Sequence, residues 1–186
     1  MTTWLTADQH FGHTKVIEYC NRPFASVDEM DTEMVIRWNE RVKPDDVVYH
    51  LGDFTLSNQK GFTYYLEQLN GTIFFVPGGH DSRWINRKET NKKYTVLPSL
   101  VTINVRGIEM VACHYPLLTW EKSHYGVIHI HGHSHGNLGC IGRSGEGQGA
   151  KPGYRVDVGV DCNNFYPTSI TDLLNRIDAY EGIVKV

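Results

Sequence analysis

The chain has 186 residues, of which 40% are hydrophobic and 21% are charged, and this composition is typical of one folded domain rather than of a disordered protein. Its formal net charge of −3 argues against a large basic surface that could hold extended duplex nucleic acid. No segment combines the length and the apolar character of a membrane span. We therefore expect a single domain over residues 1–186.

The four cysteines are far apart and lack a Cys-x-x-Cys spacing, which indicates reduced thiols rather than a disulfide framework. They are Cys20, Cys113, Cys140 and Cys162. The amino-terminal sequence has no basic region followed by an apolar run, which is the pattern of a secretion signal. On these grounds we expect a cytoplasmic protein.

The first predicted strand covers residues 2–7 and leads into Asp8-Gln9-His10. Because side chains alternate along an extended chain, Asp8 and His10 would point to the same side. Open α/β sheets place their chemistry at the carboxyl ends of such strands. Asp8 alone could simply cap the following helix, but a cap does not require His10.

Two helices are predicted between the early strands. Ser26 and Glu29 have the spacing of a capping box, and they open an amphipathic pattern that continues to Glu40. A second helix is predicted over residues 59–69, where Asn70-Gly71 would end it. These helices alternate with strands, which favours a sheet whose loops converge on one edge.

The second and third predicted strands, residues 47–51 and 72–76, also end in titratable side chains. Asp53 follows the second strand, and His80 and Asp81 follow the third. One aspartate at a strand end is usually a cap or a turn residue. Repetition at successive strands indicates a functional site.

The second half of the chain contains shorter apolar runs and then a helix that would begin near residues 168–172. The predicted strands are residues 94–97, 100–105, 108–113, 127–131 and 155–161. A glycine-rich loop follows at residues 136–153. We interpret it as a surface loop, and the alternative is a lid whose Arg143 and Lys151 approach an anionic substrate.

The stretch at residues 130–136 reads IHGHSHG. In an extended segment His133 and His135 would share a side, where two imidazoles can bind neighbouring metal positions. Gly132 would let another backbone or an ion approach closely. The simpler alternative is a polar strand end.

Several polar side chains thus gather at strand ends, and they are Asp8, His10, Asp53, His80, His114, His133 and His135. Mixed imidazole and carboxylate ligands suit first-row divalent metals. These groups are too many for one tetrahedral zinc ion. Two metal ions that share one carboxylate would account for them.

In this order the residues resemble the signature of the calcineurin-like metallophosphoesterase superfamily, in particular its compact bacterial and phage members. The matching motifs are Asp8-x-His10, Gly52-Asp53, Gly78-Gly79-His80-Asp81, His114 and Gly132-His133-Ser134-His135. The resemblance covers residues 5–180. It implies an α/β fold in the form of a four-layer sandwich of two mixed β-sheets flanked by helices.

The resemblance also implies two divalent transition-metal ions, such as Mn, Fe, Ni or Zn. The ligands of the first ion would be Asp8, His10, Asp53 and His135. The ligands of the second would be Asp53, His114 and His133, with Asp53 bridging the two ions. His80 would lie near the leaving group, and Asp81 would orient the His80 ring.

The implied activity is the hydrolysis of a small phosphodiester or phosphomonoester, which could be a nucleotide, by attack of a metal-bridging hydroxide. A phosphodiesterase is favoured over a phosphatase. The alternatives are a nuclease, which the acidic balance disfavours, and a non-catalytic scaffold. His13 and Arg22 lie on loops where they could contact phosphate, although each could equally be an ordinary surface residue.

One position departs from the superfamily pattern, in which an asparagine stands before the histidine and supplies an oxygen ligand to the second metal. This chain has Gly79 there, which has no side chain to offer. Water, a substrate oxygen or a backbone carbonyl would have to replace the asparagine oxygen. We expect weaker binding of the second metal ion and lower activity, and Gly79 itself would lie against the substrate.

The substitution Gly79→Asn should therefore increase both the bound metal and the turnover, because it restores an oxygen ligand. Metal content after dialysis and hydrolysis of an aryl phosphodiester would measure the two effects. A Gly79→Asn protein that gains neither metal nor activity would contradict this expectation.

Overall fold

A computed structural model describes residues 1–57, 59–85, 93–144 and 152–184 of the chain. In chain order its strands are β1 (Thr3–Thr6), β2 (Val47–His50), β3 (Thr72–Phe75), β4 (Tyr94–Val96), β5 (Leu100–Val105), β6 (Ile108–Cys113), β7 (Ile128–His131), β8 (Ile141–Arg143), β9 (Tyr154–Asp157) and β10 (Thr168–Ser169). Its helices are α1 (Thr14–Tyr19), α2 (Val27–Arg41), α3 (Phe62–Leu66), α4 (Ser82–Ile85) and α5 (Ile170–Val184).

The strands form two mixed sheets of five strands each within the described residues. The first sheet has the order β10-β1-β2-β3-β4, in which β1 to β4 are parallel and β10 is antiparallel to β1. The second has the order β5-β6-β7-β9-β8, with parallel strands β6, β7 and β9 in its centre. Each set of parallel strands brings several strand ends to one edge.

Helix α2 follows the capping box that the sequence predicts. Ser26 Oγ accepts a hydrogen bond from Glu29 N at 3.1 Å, while the Glu29 side chain accepts one from Ala25 N at 2.8 Å. Helix α3 is shorter than the predicted helix over residues 59–69. Among the described residues, no helix has both the length and the apolar character needed to cross a membrane.

Two apolar cores position the sheets. The first lies between the helices and the first sheet, and it includes Trp38 of α2, Leu66 of α3 and Ile73 of β3. The second contains buried side chains from both sheets and from α5, including Leu5, Ile130, Val156 and Leu173. Burial of such side chains stabilises the fold by about 1.5–3 kcal/mol each. Two mixed sheets flanked by helices confirm the expected fold class.

Part of the predicted glycine-rich loop is a strand. Strand β8 lies inside residues 136–153 and pairs with β9 in antiparallel register. Arg143, which the alternative interpretation assigned to a lid, forms an ion pair with Glu181 of α5 at 3.5 Å. Residues 145–151, and therefore Lys151, lie outside the described residues.

The expectation of reduced thiols is wrong for two of the four cysteines. Cys140 and Cys162 form a disulfide with a Cα–Cα distance of 5.7 Å. The chain leaves β9 at Asp157 and enters a short 3-10 helix at Val160–Cys162, which brings Cys162 next to the start of β8. Sequence spacing could not predict this pair, because a turn after β9 creates the contact. Cys20 and Cys113 are free.

Candidate metal centre

The first cluster of potential metal ligands consists of Asp8, His10 and His135. Each residue offers one ligand atom, and these atoms lie within 4.8 Å of one another. Asp8 and His10 follow β1, whereas His135 comes from the loop after β7. Asp8 and His10 are buried. Residues far apart in sequence thus converge where the two sheets meet.

The second cluster consists of Asp53, His114 and His133, whose ligand atoms also lie within 4.8 Å of one another. His114 is fully buried, and its Nδ1 lies 2.7 Å from the Leu51 carbonyl oxygen. A proton on Nδ1 would be donated to that carbonyl. Such a bond directs the other ring nitrogen, Nε2, toward a metal ion.

Asp53 belongs to the second cluster and also lies close to the first. Its Oδ2 is 3.6 Å from His10 Nε2 and 3.4 Å from His114 Nε2. Its Oδ1 accepts a hydrogen bond from His80 N at 3.0 Å. One carboxylate therefore contacts a ring from each cluster, which is the arrangement that a bridging ligand requires.

The backbone at this site differs from the extended chain assumed in the sequence analysis. Five potential ligands have positive φ angles between 46° and 66°, and they are Asp8, His10, Asp53, His133 and His135. Non-glycine residues adopt this conformation at a cost of about 1–3 kcal/mol each. The side chains share a side because tight loops turn them inward, and alternation along a strand is not the reason.

Two glycines allow this close packing. A Cβ atom on Gly78 would lie 2.4 Å from Asp53 Oδ1, and one on Gly132 would lie 2.6 Å from Asp8 Oδ2. Asp8 Oδ2 accepts a hydrogen bond from His133 N at 2.9 Å. The expected close approach at Gly132 is therefore present, and the approaching group is a carboxylate.

Burial controls the protonation of Asp8 and His10 in the first cluster. It raises the pKa of Asp8 to about 7, although the neighbouring His135 and His114 oppose this shift. Burial also lowers the pKa of His10 well below its ordinary value, so that the imidazole is neutral at pH 7. The positive charges near Asp8 do not fully offset the effect of its burial. A bound cation would therefore stabilise the ionised form of this carboxylate.

Asp53 has the opposite shift. Burial acts to raise its pKa, but contact with His114 and the hydrogen bond from His80 N outweigh burial and hold the pKa well below its ordinary value. The carboxylate is therefore ionised at neutral pH and can serve as a ligand without losing a proton.

The residues present fit divalent cations. Asp8 Oδ1, His10 Nε2 and His114 Nε2 are buried without a hydrogen-bond partner in the described part of the chain. Buried polar atoms of this kind cost free energy unless they gain a partner. Imidazole and carboxylate groups together suit first-row divalent metals.

A partly buried chain of contacts orients His135. Its Nδ1 lies 2.6 Å from Asp161 Oδ2, and Arg22 donates two hydrogen bonds of 2.8 Å to the Asp161 carboxylate. Burial would lower the pKa of His135, but Asp161 and Cys20 outweigh it and raise the pKa to about 10. Cys20, His135 and Asp161 themselves form a third group of potential ligands, which shares His135 with the first cluster.

Arg22 contacts the backbone of the loop that carries Asp8. Its guanidinium also donates to the carbonyl oxygens of Asp8 at 2.7 Å and of Gln9 at 2.9 Å. The side chain is buried, which does not agree with the phosphate contact expected from the sequence. Arg22 instead fixes the loop after β1 and the carboxylate of Asp161. The residue order alone could not reveal this contact, because Asp161 lies 139 positions away.

His80, Gly79 and His13 lie at the rim of the centre. The His80 side chain is 51% exposed, with Nε2 at 3.9 Å from Asp53 Oδ2. The His80 and His13 rings have centroids 5.7 Å and 5.6 Å from that of His10. Gly79 is exposed in the turn next to His80. His80 and Gly79 are exposed, whereas His13 is half-buried.

Asp81 has a different contact set from the one expected. Its Oδ2 accepts hydrogen bonds from Asp53 N at 2.8 Å and Gly78 N at 2.7 Å. Its Oδ1 accepts from Phe54 N and Trp84 Nε1, both at 3.0 Å. None of these donors is the His80 ring, so this buried carboxylate positions the backbone of Asp53 instead.

The substitution Asp81→Asn should destabilise the protein by about 2–4 kcal/mol, because an amide NH2 would face two N–H donors that now share a carboxylate oxygen. It should also reduce metal uptake, since the backbone at Asp53 would shift. Urea unfolding and metal content after dialysis would measure both effects. Asp45→Asn, at an exposed aspartate, is the matched control. Equal stability and metal content in the two variants would contradict the role assigned to Asp81.

Comparison with known proteins identifies relatives over nearly the whole chain. The sequence is 33% identical over 178 residues to the "Uncharacterized protein MJ1445" of Methanocaldococcus jannaschii, which covers 94% of this chain and 90% of that protein. It is 24% identical over 210 residues to the "Gene 66 protein" of Mycobacterium phage L5, with 97% and 98% covered. No protein-family model matches the chain.

Solved structures share the fold. The protein of unknown function AQ665 from Aquifex aeolicus matches with a TM-score of 0.66 and 21% identity, over 96% of this chain and 98% of that chain. A structure described as a novel archaeal phosphodiesterase matches with a TM-score of 0.47 and 16% identity, over 86% and 84%. The AQ665 match shows that the two-sheet arrangement occurs in another protein, and the second match is too distant to support an argument.

Proposed function

We propose that this chain, which belongs to the same protein family as the uncharacterized protein MJ1445 of Methanocaldococcus jannaschii, is a phosphoesterase that uses two divalent metal ions. The main support for this proposal is the position of Asp53. Its carboxylate lies between a cluster with His10 and a cluster with His114. Two metal positions joined by one carboxylate are suited to phosphoryl chemistry.

The ligands proposed for the first ion are Asp8, His10, His135 and the shared Asp53, and those for the second are Asp53, His114 and His133. We propose Mn, Fe, Ni or Zn as the resident ions, since both sets combine imidazole and carboxylate ligands. When bound, such ions neutralise charge on the phosphoryl oxygens and lower the pKa of the attacking water.

His80 is suited to act on the leaving group. It lies at the exposed rim, with Nε2 at 3.9 Å from Asp53 Oδ2, and its backbone N–H is held by Asp53 Oδ1. A protonated imidazole there can donate a proton to the departing oxygen as the bond to phosphorus breaks. Its exposure permits the exchange of protons with solvent between turnovers.

The open rim favours a small phosphodiester, which could be a nucleotide. His80, His133 and Tyr115 are exposed, so that both substituents of a diester can extend toward solvent. We also propose a cytoplasmic location, in which the Cys140–Cys162 disulfide would occur beside the free thiols of Cys20 and Cys113.

Metal-stripped protein reloaded with Mn, Ni, Zn or Mg should hydrolyse a generic aryl phosphodiester, and the matching monoester more slowly. Loss of the proton donor in His80→Ala should lower the rate by about 100-fold or more. Release of the aryl alcohol, followed by absorbance, would measure both reactions.

His124→Ala is the matched control, because His124 is exposed and contacts Tyr125 rather than the metal centre. This variant should keep full activity. No turnover with any metal, in a protein that binds metal tightly, would contradict catalysis and favour a non-catalytic scaffold.

A further inference from the structure

Tyr115 follows His114 directly and packs over the second cluster. Its ring centroid lies 4.9 Å from that of His114 and 4.8 Å from that of His133, with interplanar angles of 79° and 68°. The residue is 46% exposed. Its ring therefore borders two of the three potential ligands while part of the side chain remains open to solvent.

The Tyr115 hydroxyl occupies the space beside Gly79. A Cβ atom built on Gly79 would lie 3.0 Å from the tyrosine oxygen, and among the described residues it would meet no other heavy atom within 4 Å outside its chain neighbours. The hydroxyl thus lies where a side chain at position 79 would begin. Gly79 precedes His80, whose N–H donates to Asp53 Oδ1, so this space adjoins the second cluster.

The hydroxyl is available for a ligand. In residues 1–57, 59–85, 93–144 and 152–184, no hydrogen bond of the Tyr115 hydroxyl is found. Asp53, His114 and His133 next to it have the geometry of metal ligands, and none offers a free O–H donor. A phosphoryl oxygen bound at this cluster carries negative charge and gains from such a donor.

We propose that the Tyr115 hydroxyl donates a hydrogen bond to a phosphoryl oxygen bound at the Asp53–His114–His133 cluster, in the space that Gly79 leaves open. This inference rests on the proposed phosphoesterase function. It makes Tyr115 a substrate-binding residue, and it gives Gly79 a role, because a methyl group there would crowd the hydroxyl without offering a metal ligand.

Inorganic phosphate is the probe for this contact, with binding to Mn-loaded protein measured by titration calorimetry. Tyr115→Phe removes only the hydroxyl, so the dissociation constant for phosphate should rise about ten-fold, while the Mn stoichiometry stays unchanged. Tyr125→Phe, at an exposed tyrosine whose ring contacts only that of His124 in the described contacts, should bind phosphate like the unmodified protein.

Gly79→Ala provides a second, independent test of the contact. Its methyl group should push the hydroxyl aside and weaken phosphate binding in the unmodified background. In the Tyr115→Phe background the same substitution should have little further effect, because the two changes remove one contact.

Equal phosphate affinity in Tyr115→Phe and the unmodified protein would overturn the inference and leave the proposed function standing. Loss of bound Mn from Tyr115→Phe would also overturn it, because the hydroxyl would then support the metal ligands. Failure of the unmodified protein to bind Mn or phosphate would overturn both the inference and the proposed function.

Discussion

The metal centre depends on one buried carboxylate that is not itself a potential ligand. Asp81 accepts four hydrogen bonds, two of them from the backbone of Asp53 and Phe54. They tie the loop after β2 to the loop after β3. Asp53 can therefore hold its left-handed backbone conformation, with φ of 55°, and place its carboxylate between the two clusters. Without this support, the shared position between the clusters would be lost.

The centre lies where two sheets meet, and each sheet contributes part of it. Asp8 and Asp53 follow parallel strands of the first sheet, while His114 and His135 follow strands of the second. Contacts between the loops of the two sheets keep the ligands from each sheet close together. One of them is the hydrogen bond from His133 N to Asp8 Oδ2. On the outer side, Arg22 and Asp161 hold the loop that carries Asp8 and the ring of His135. The ligands are thus positioned by contacts distant in sequence.

The sequence predicted much of the fold and the identity of the converging side chains. Apolar runs that end in Asp or His mark strand ends, and the ends of parallel strands meet at one edge of a sheet. Contacts between residues far apart in sequence cannot be predicted from such patterns. The disulfide of Cys140 with Cys162, the burial of Arg22 against Asp161 and the bonds of Asp81 all depend on how loops fold over one another. The left-handed turns at the ligands were missed because alternation describes strands, and the chain leaves the strand before these residues.

We propose that two metal positions flank Asp53. Anomalous diffraction from crystals of the Mn-loaded protein would test it most directly, since the signal locates each ion independently of activity. We predict two peaks, one among Asp8, His10 and His135 and one between His114 and His133, with Asp53 contacting both. A single peak, or peaks away from Asp53, would contradict it.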